Sequence, residues 1–339
     1  MGSEMCIRDR KDLDDGIDTI GKKMTVCQLY AKQIRHRGNV RYNTKNGRKR
    51  LMKLLEEDKL GGCPIDSVKL SDAKEWAIRM KEKGISYKTI SNDKRSLKAA
   101  FYTAIQDDCI RKNPFDFQLN TVIEDDTEPK VPLTPAQEES FLSFAQNDKV
   151  YQKYYDELII LLGTGLRISE LCGLTDTDIN FENRIINVDH QLLRSAETGY
   201  YIETPKTKSG IRQIPMSEKV YEAFNRVLKR RRGAKAVTID GYSNFLFLNR
   251  DGYPKTATNY DGMFRGLAKK YNKYHEEALP KVMTPHTLRH TFCTNMANAG
   301  MNPKALQYIM GHSNITMTLN YYAHATFDSA KAEMLRIAA

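Results

Sequence analysis

Between Asn120 and Leu133 the chain holds no sustained apolar period. It carries four acids (Glu124, Asp125, Asp126, Glu128) and two prolines, Pro129 and Pro132. Such a stretch can bury neither a helical face nor an alternating strand, so residues 119–133 read as a linker. Directly after it, Thr134-Pro135-Ala136-Gln137 puts Thr at N-cap, Pro at N1 and Gln at N3. That is a capping box, and it starts a helix and a second domain at residue 134. A chain of 339 residues cut at this point makes two domains of ordinary size.

The two halves differ in charge. The whole chain has 53 Lys and Arg against 42 Asp and Glu, net +11; residues 24–120 alone hold 21 against 11. The first half is therefore a basic module, which points towards a polyanion. Its pattern is helical throughout: Ile90, Leu97, Phe101, Ala104 and Ile105 form one apolar stripe that ends before Asn113-Pro114. We read a helical domain of four or five helices over 24–118, with Arg41, Lys45, Arg48, Lys49 and Arg50 clustered near its first turns. Residues 1–23 read as a leader or as the remnant of a further amino-terminal region.

After the linker, Tyr154 to Leu174 is helical with one apolar side. Arg184–Asp189, Tyr200–Thr204 and the alternating Ile211–Pro215 predict one small antiparallel sheet. Ser217 caps a further helix that runs to Lys229–Arg232, a basic run suited either to a helix end or to a phosphate backbone. The fold class is therefore mainly α, with a small antiparallel β-sheet in the second domain. No apolar run is long enough for a membrane span, so no membrane is expected as a partner. Six scattered cysteines with no C-x-x-C pair suit reduced thiols in a cytosol.

Three patches carry chemistry. In Thr164-Gly-Leu-Arg167-Ile-Ser-Glu170-Leu171 the carboxylate of Glu170 stands i,i+3 from Arg167 and can hold its guanidinium. Thr204-Pro-Lys206-Thr-Lys208-Ser-Gly210 is a strand-to-strand turn with two lysines. The third patch is Pro285-His286-Thr-Leu-Arg289-His290, then Gly311-His312-Ser313, then Tyr321-Tyr322-Ala323-His324. Arginines, a lysine, histidines and a tyrosine without an acidic cluster suit a phosphodiester attacked by a tyrosine hydroxyl. Two guanidiniums can clamp the extra charge on the phosphorane oxygens, and a flexible lysine can protonate the leaving 5′-oxygen. Arginine in that role needs no metal-binding carboxylates. His286, His290 and Cys293 also have a helical spacing that zinc ligands use, but a zinc site would leave Arg289 without a role.

The ordered set TGLRISEL, PHTLRH, GHS and YYAH resembles the tyrosine recombinases of the phage integrase family, most of all the integrases of bacterial conjugative transposons. The resemblance implies a two-domain architecture, a core-binding domain over 24–118 and a catalytic domain over 134–339. It assigns Arg167, Lys206 (with Lys208 as the alternative), His286, Arg289, His312 and Tyr322 to catalysis, with Glu170 in support. Tyr321 is expected to pack beneath the site. Arg41, Lys45, Arg48, Lys49, Arg50 and Lys208 are expected on DNA. The resemblance further implies a 3′-phosphotyrosine intermediate, with no cofactor, metal or ATP. The partners implied are double-stranded attachment-site DNA, a homotetramer on that DNA, and an excisionase or DNA-bending accessory protein, all in the bacterial cytoplasm at the nucleoid. It also implies that residues 1–23 are what is left of an arm-binding region. Two rivals are a type IB topoisomerase, separable by strand exchange, and an inactive DNA-binding repressor, separable by a covalent adduct.

Overall fold

The computed structural model describes residues 21–38, 40–128, 131–205, 207–231, 237–322 and 334. The chain separates into two compact units, Met1–Pro129 and Lys130–Ala339.

In the first unit four helices are described: α1 Val26–His36, α2 Tyr42–Glu56, α3 Leu70–Glu82 and α4 Tyr87–Gln106. Local chemistry starts them. Thr25 Oγ1 accepts from the Gln28 amide (3.2 Å) while Gln28 Oε1 accepts from the Thr25 amide (2.9 Å), which closes a capping box before α1. Their inner faces meet around Trp76, whose ring lies edge-on to Phe115 at 5.7 Å, with Phe101 at 5.3 Å from Phe115. The packing continues into the segment expected as linker. A short 3-10 turn, Leu119–Thr121, brings Leu119 and Ile123 into this core, so the unpacked strip begins only after Ile123.

Of the basic cluster near α2, Lys45, Lys49 and Arg50 are exposed, and Arg41 and Arg48 half-buried. Arg50 has an internal partner, since its Nη2 reaches the buried Asp93 at 2.5 Å. Residues 1–20 of the expected leader lie outside the described residues.

In the second unit the capping box at Thr134 and Gln137 starts its first helix, α5 Pro135–Asn147. Its core is α6 Tyr155–Thr164, buried through Leu158, Ile160 and Leu161 and packed against α8 Glu218–Arg231 and α10 Pro285–Asn298. Between α6 and α8 lie the short helix α7 Ile168–Gly173 and five strands; α9 Ala257–Tyr274, α11 Pro303–Met310 and α12 Thr316–Leu319 complete the order. The strands are β1 Ile179–Asn180, β2 Ile185–Val188, β3 Gln191–Ser195, β4 Gly199–Glu203 and β5 Arg212–Pro215. They form two antiparallel sheets rather than the single sheet expected: β1-β2-β5, and a separate hairpin β3-β4. The reason is that Gln191–Ser195, which has no β-branched residue, pairs locally with β4 across a tight turn at Gly199 (φ 70°).

Two residues of the basic run at the end of α8, Arg230 and Arg231, have partners within the protein. Arg226 Nε and Arg230 Nη2 reach the buried Asp156 at 2.8 and 2.5 Å, and Arg231 Nε donates to Phe245 O; Arg232 lies outside the described residues.

Candidate active site

Two helix ends build the site. Helix α6 stops at Gly165, whose φ of 63° is left-handed and whose missing Cβ leaves room for the Phe292 ring; a Cβ there would meet it at 2.5 Å. Helix α11 stops at Gly311 (φ 60°), where a Cβ would crowd Arg212 Nη1 and Ser209 O at 3.1 Å. Both stops turn carbonyls towards arginines. Arg289 Nη1 donates to Gly165 O and Nη2 to Met310 O, while Arg167 Nη2 donates to Gly311 O at 3.0 Å. The bonds hold both guanidiniums in place and leave further N–H groups of Arg289 unused by the described protein atoms.

Arg167 caps α7, and Glu170, one turn on, takes its Nη1 at 2.7 Å and its backbone amide at 2.8 Å. The expected i,i+3 pair is therefore present. A third cation, not anticipated, shares the same carboxylate: Arg212 Nη2 and Nη1 reach Glu170 Oε2 and Oε1 at 2.9 and 3.1 Å. Burial alone would raise the Glu170 carboxyl, but the Arg212 hydrogen bonds and charge, with Arg167 and Arg289, hold it at about 2. Arg289 is driven the other way, to about 9, by burial and then by the neighbouring Arg167, and it is still a cation at neutral pH.

His312 is buried beside these arginines, with Nδ1 2.9 Å from the fully buried Thr318 Oγ1. Where the Thr318 hydroxyl donates, the imidazole proton is on Nε2; where it accepts, the proton is on Nδ1. Burial, then Arg289, Arg167, Arg212 and His286, depress its pKa from 6.5 to about 4. His286 itself is exposed at the first turn of α10. A histidine depressed in this way takes up its proton more readily when unfolded. Folding stability should thus fall as the pH drops from about 6.5 towards about 4, by at most ~3 kcal/mol. Thermal melts across that window should show the slope, and His312→Gln should flatten it; equal slopes in both proteins would contradict this reading.

The two tyrosines have different surroundings. The Tyr322 hydroxyl donates to Met301 O at 2.5 Å, on the loop between α10 and α11. Tyr321 lies 4.7 Å from the His290 ring. Its hydroxyl is pushed up to about 12 by burial and then by Cys293, against the opposing charge of Arg289. Of the two tyrosines, Tyr321 is thus the one whose hydroxyl feels the charge of Arg289. Both rings pack on one small core of Phe292, Cys293, Ala297, Leu306 and Met310.

Lys206 and His324 lie outside the described residues; Lys208 is exposed at the start of the 3-10 turn Lys208–Gly210. Among the described residues, His286, His290 and Cys293 are not gathered as ligands for one ion. The sequence reading missed Arg212 and Thr318. A signal for Arg212 exists, because it shares the inward parity of Ile214 on an alternating strand, and a cation there needs a buried partner.

Three guanidiniums around one carboxylate form a site for an oxyanion, and the wider comparisons name the class. The sequence profile of the phage integrase family matches residues 132–329. The chain belongs to the phage integrase family. It is a tyrosine-type site-specific recombinase, similar to a transposon transposase and a transposon integrase. The transposase of transposon Tn916 from Enterococcus faecalis is 69% identical over 328 residues, 97% of this chain and 81% of that protein. The tyrosine recombinase XerC of Bacillus subtilis is 26% identical over 265 residues, 78% of each. Among solved structures, the Tn1549 transposon integrase in complex with a circular intermediate DNA superposes with TM-score 0.89 at 78% identity, covering 93% of this chain and 99% of that one. A lambda integrase dimer bound to a core site shares the fold, with TM-score 0.60 at 16% identity over 88% of this chain and 76% of that one.

Proposed function

We propose that the chain binds double-stranded DNA at the attachment sites of a mobile element and breaks one phosphodiester per active site with Tyr321, forming a 3′-phosphotyrosyl link and freeing a 5′-hydroxyl. The observation that carries this is that Arg167 and Arg212 share the single carboxylate of Glu170, with Arg289 near enough for its charge to act on the same carboxylate, which leaves an excess of positive charge beside a tyrosine. Arg167 and Arg289 clamp the non-bridging oxygens, and His312, with its proton on Nε2, donates a further hydrogen bond to them. His286, at the exposed edge of the same cluster, adds a contact to the phosphate. Lys206, or Lys208 two residues on, protonates the leaving 5′-oxygen. The attack of a freed 5′-hydroxyl on a partner's phosphotyrosine then rejoins strands with no energy source, because each bond broken is stored in the one made. Rejoining between two duplexes calls for a homotetramer on DNA, and an excisionase or DNA-bending protein would set the direction. The working place is the bacterial cytoplasm, at the nucleoid.

The test is a nicked attachment-site duplex, which loses its 5′-hydroxyl strand after cleavage and so traps the enzyme. A covalent adduct on a denaturing gel is the expected result. Binding without an adduct would instead make the chain a DNA-binding protein with an idle site.

The unit made by residues 24–128 supplies sequence-independent grip through the basic excess of residues 24–120, with Arg41, Lys45, Arg48 and Lys49 on phosphates. Arg50 contributes less, being tied to Asp93. DNA affinity should fall log-linearly with salt, with a slope of roughly −0.9 per phosphate neutralised. A titration series that stays flat from low to high salt would contradict this.

A further inference from the structure

Arg212 belongs to no motif, yet all its side-chain nitrogens are used and its side chain is fully buried. It is the first residue of β5, where strand alternation turns it inward with Ile214, opposite Val188. Nε donates to Ile309 O at 2.6 Å, Nη1 to Gly210 O at 3.0 Å and to Glu170 Oε1 at 3.1 Å, and Nη2 to Glu170 Oε2 at 2.9 Å. These partners lie on different elements, and each adjoins a group of the site. Gly210 ends the turn that carries Lys208. Ile309 precedes Met310, whose carbonyl accepts from Arg289, and Gly311, whose carbonyl accepts from Arg167. Glu170 is the carboxylate that holds Arg167.

The electrostatic consequence is larger than the mechanical one. Were Glu170 paired with Arg167 alone, one buried carboxylate would neutralise the one guanidinium beside it. With Arg212 on the same two oxygens, the negative charge is divided between two cations, and Arg167 keeps a net attraction for an incoming anion. We infer that Arg212 is a positioning residue of the recombination reaction: by sharing Glu170 it leaves Arg167 positive towards the scissile phosphate, and it ties the lysine turn to the loop that carries His312. This rests on the reading that Arg167 holds that phosphate.

The experiment measures single-turnover cleavage of the nicked duplex, DNA affinity, and thermal stability for Arg212→Met, Glu170→Gln, the double variant, Arg212→Lys and Arg167→Ala. Arg212→Met should cleave about a hundredfold more slowly, with DNA affinity within about threefold of the parent, since the loss lies in the transition state. Adding Glu170→Gln should recover about tenfold or more of that rate, because the stranded carboxylate that now cancels Arg167 is gone. A purely architectural Arg212 predicts the reverse, a double variant no faster than the single. That result, or Arg212→Met cleaving at the parent rate, overturns the proposal.

Arg212→Lys keeps the charge beside Glu170 without the forked bonds, and serves if the Met variant does not fold. It should stay within about tenfold of the parent rate. A loss as deep as that of Arg167→Ala would count against charge sharing. Arg167→Ala separates the two levels. If it cleaves normally, the phosphate-clamp reading fails. If it is inert while Arg212→Met is normal, only the role of Arg212 falls.

Discussion

Tyr321→Phe should abolish the covalent adduct on a nicked attachment-site duplex while DNA affinity is retained, and Tyr322→Phe should still form it. Removing the Tyr321 hydroxyl deletes the nucleophile but no phosphate-binding group, so the effect is on bond formation and not on docking. Both residues lie in a turn closed by i→i+3 bonds, where neighbours point about 120° apart, so only one of the two can face the phosphate. Tyr321 feels the charge of Arg289 and contacts His290, whereas the Tyr322 hydroxyl is spent on Met301 O. In the DNA-free protein Tyr321 is a poor nucleophile, its pKa pushed up to about 12 by burial and Cys293. A phosphate seated between the arginines supplies the missing drive by positioning, and cleavage should rise with pH through the alkaline range. The deciding measurement is a denaturing gel of both variants with end-labelled DNA, followed by peptide mass spectrometry of the trapped adduct. An adduct lost in Tyr322→Phe and kept in Tyr321→Phe would reverse the assignment. The Met301 bond would then be a resting contact that breaks on DNA.

Much of this was legible in the sequence because it sits in contiguous boxes. Arg167 and Glu170 are one helical turn apart, so their pairing follows from helix geometry alone. Arg289 and His312 stand in short segments whose glycine and helix-start signals also fix the local backbone. What spacing did not convey is the identity of partners far apart in the chain. Arg212 reaches Glu170 across 42 positions, and only the inward parity of its strand hints that it must be paired. The choice between the two tyrosines was not legible for a related reason. The expectation leaned on the histidine two residues beyond Tyr322, whereas the orientation of each ring is set by the small core of Phe292, Leu306 and Met310 beneath it. The hairpin β3-β4 was half seen, because Gln191–Ser195 lacks β-branched residues and is held by its pairing with Gly199–Glu203 rather than by its own preference.

Arg289→Lys and Arg167→Lys should each cost on the order of a thousandfold in cleavage, about 4 kcal/mol of transition-state stabilisation, with DNA binding close to unchanged. The size follows from where the charge appears. A phosphodiester already carries one negative charge in the bound state, and the phosphorane adds more on the same oxygens, so a clamp aimed at them acts mostly in the transition state. Lysine keeps the charge but cannot reproduce the geometry. The Arg289 guanidinium bonds Gly165 O and Met310 O at once, so its orientation is fixed from two helix ends, and an ammonium cannot span both while facing a phosphate. At about 9 the Arg289 pKa still leaves the group charged at neutral pH, so loss of charge is not what limits the native enzyme. Because guanidiniums hold the developing charge, EDTA should leave the cleavage rate of the native chain unaltered. Single-turnover rates with and without chelator, on the same nicked substrate, measure both points. Cleavage that stops in EDTA, or an Arg289→Lys variant that cuts at the native rate, would show that something other than the arginine pair stabilises the phosphorane.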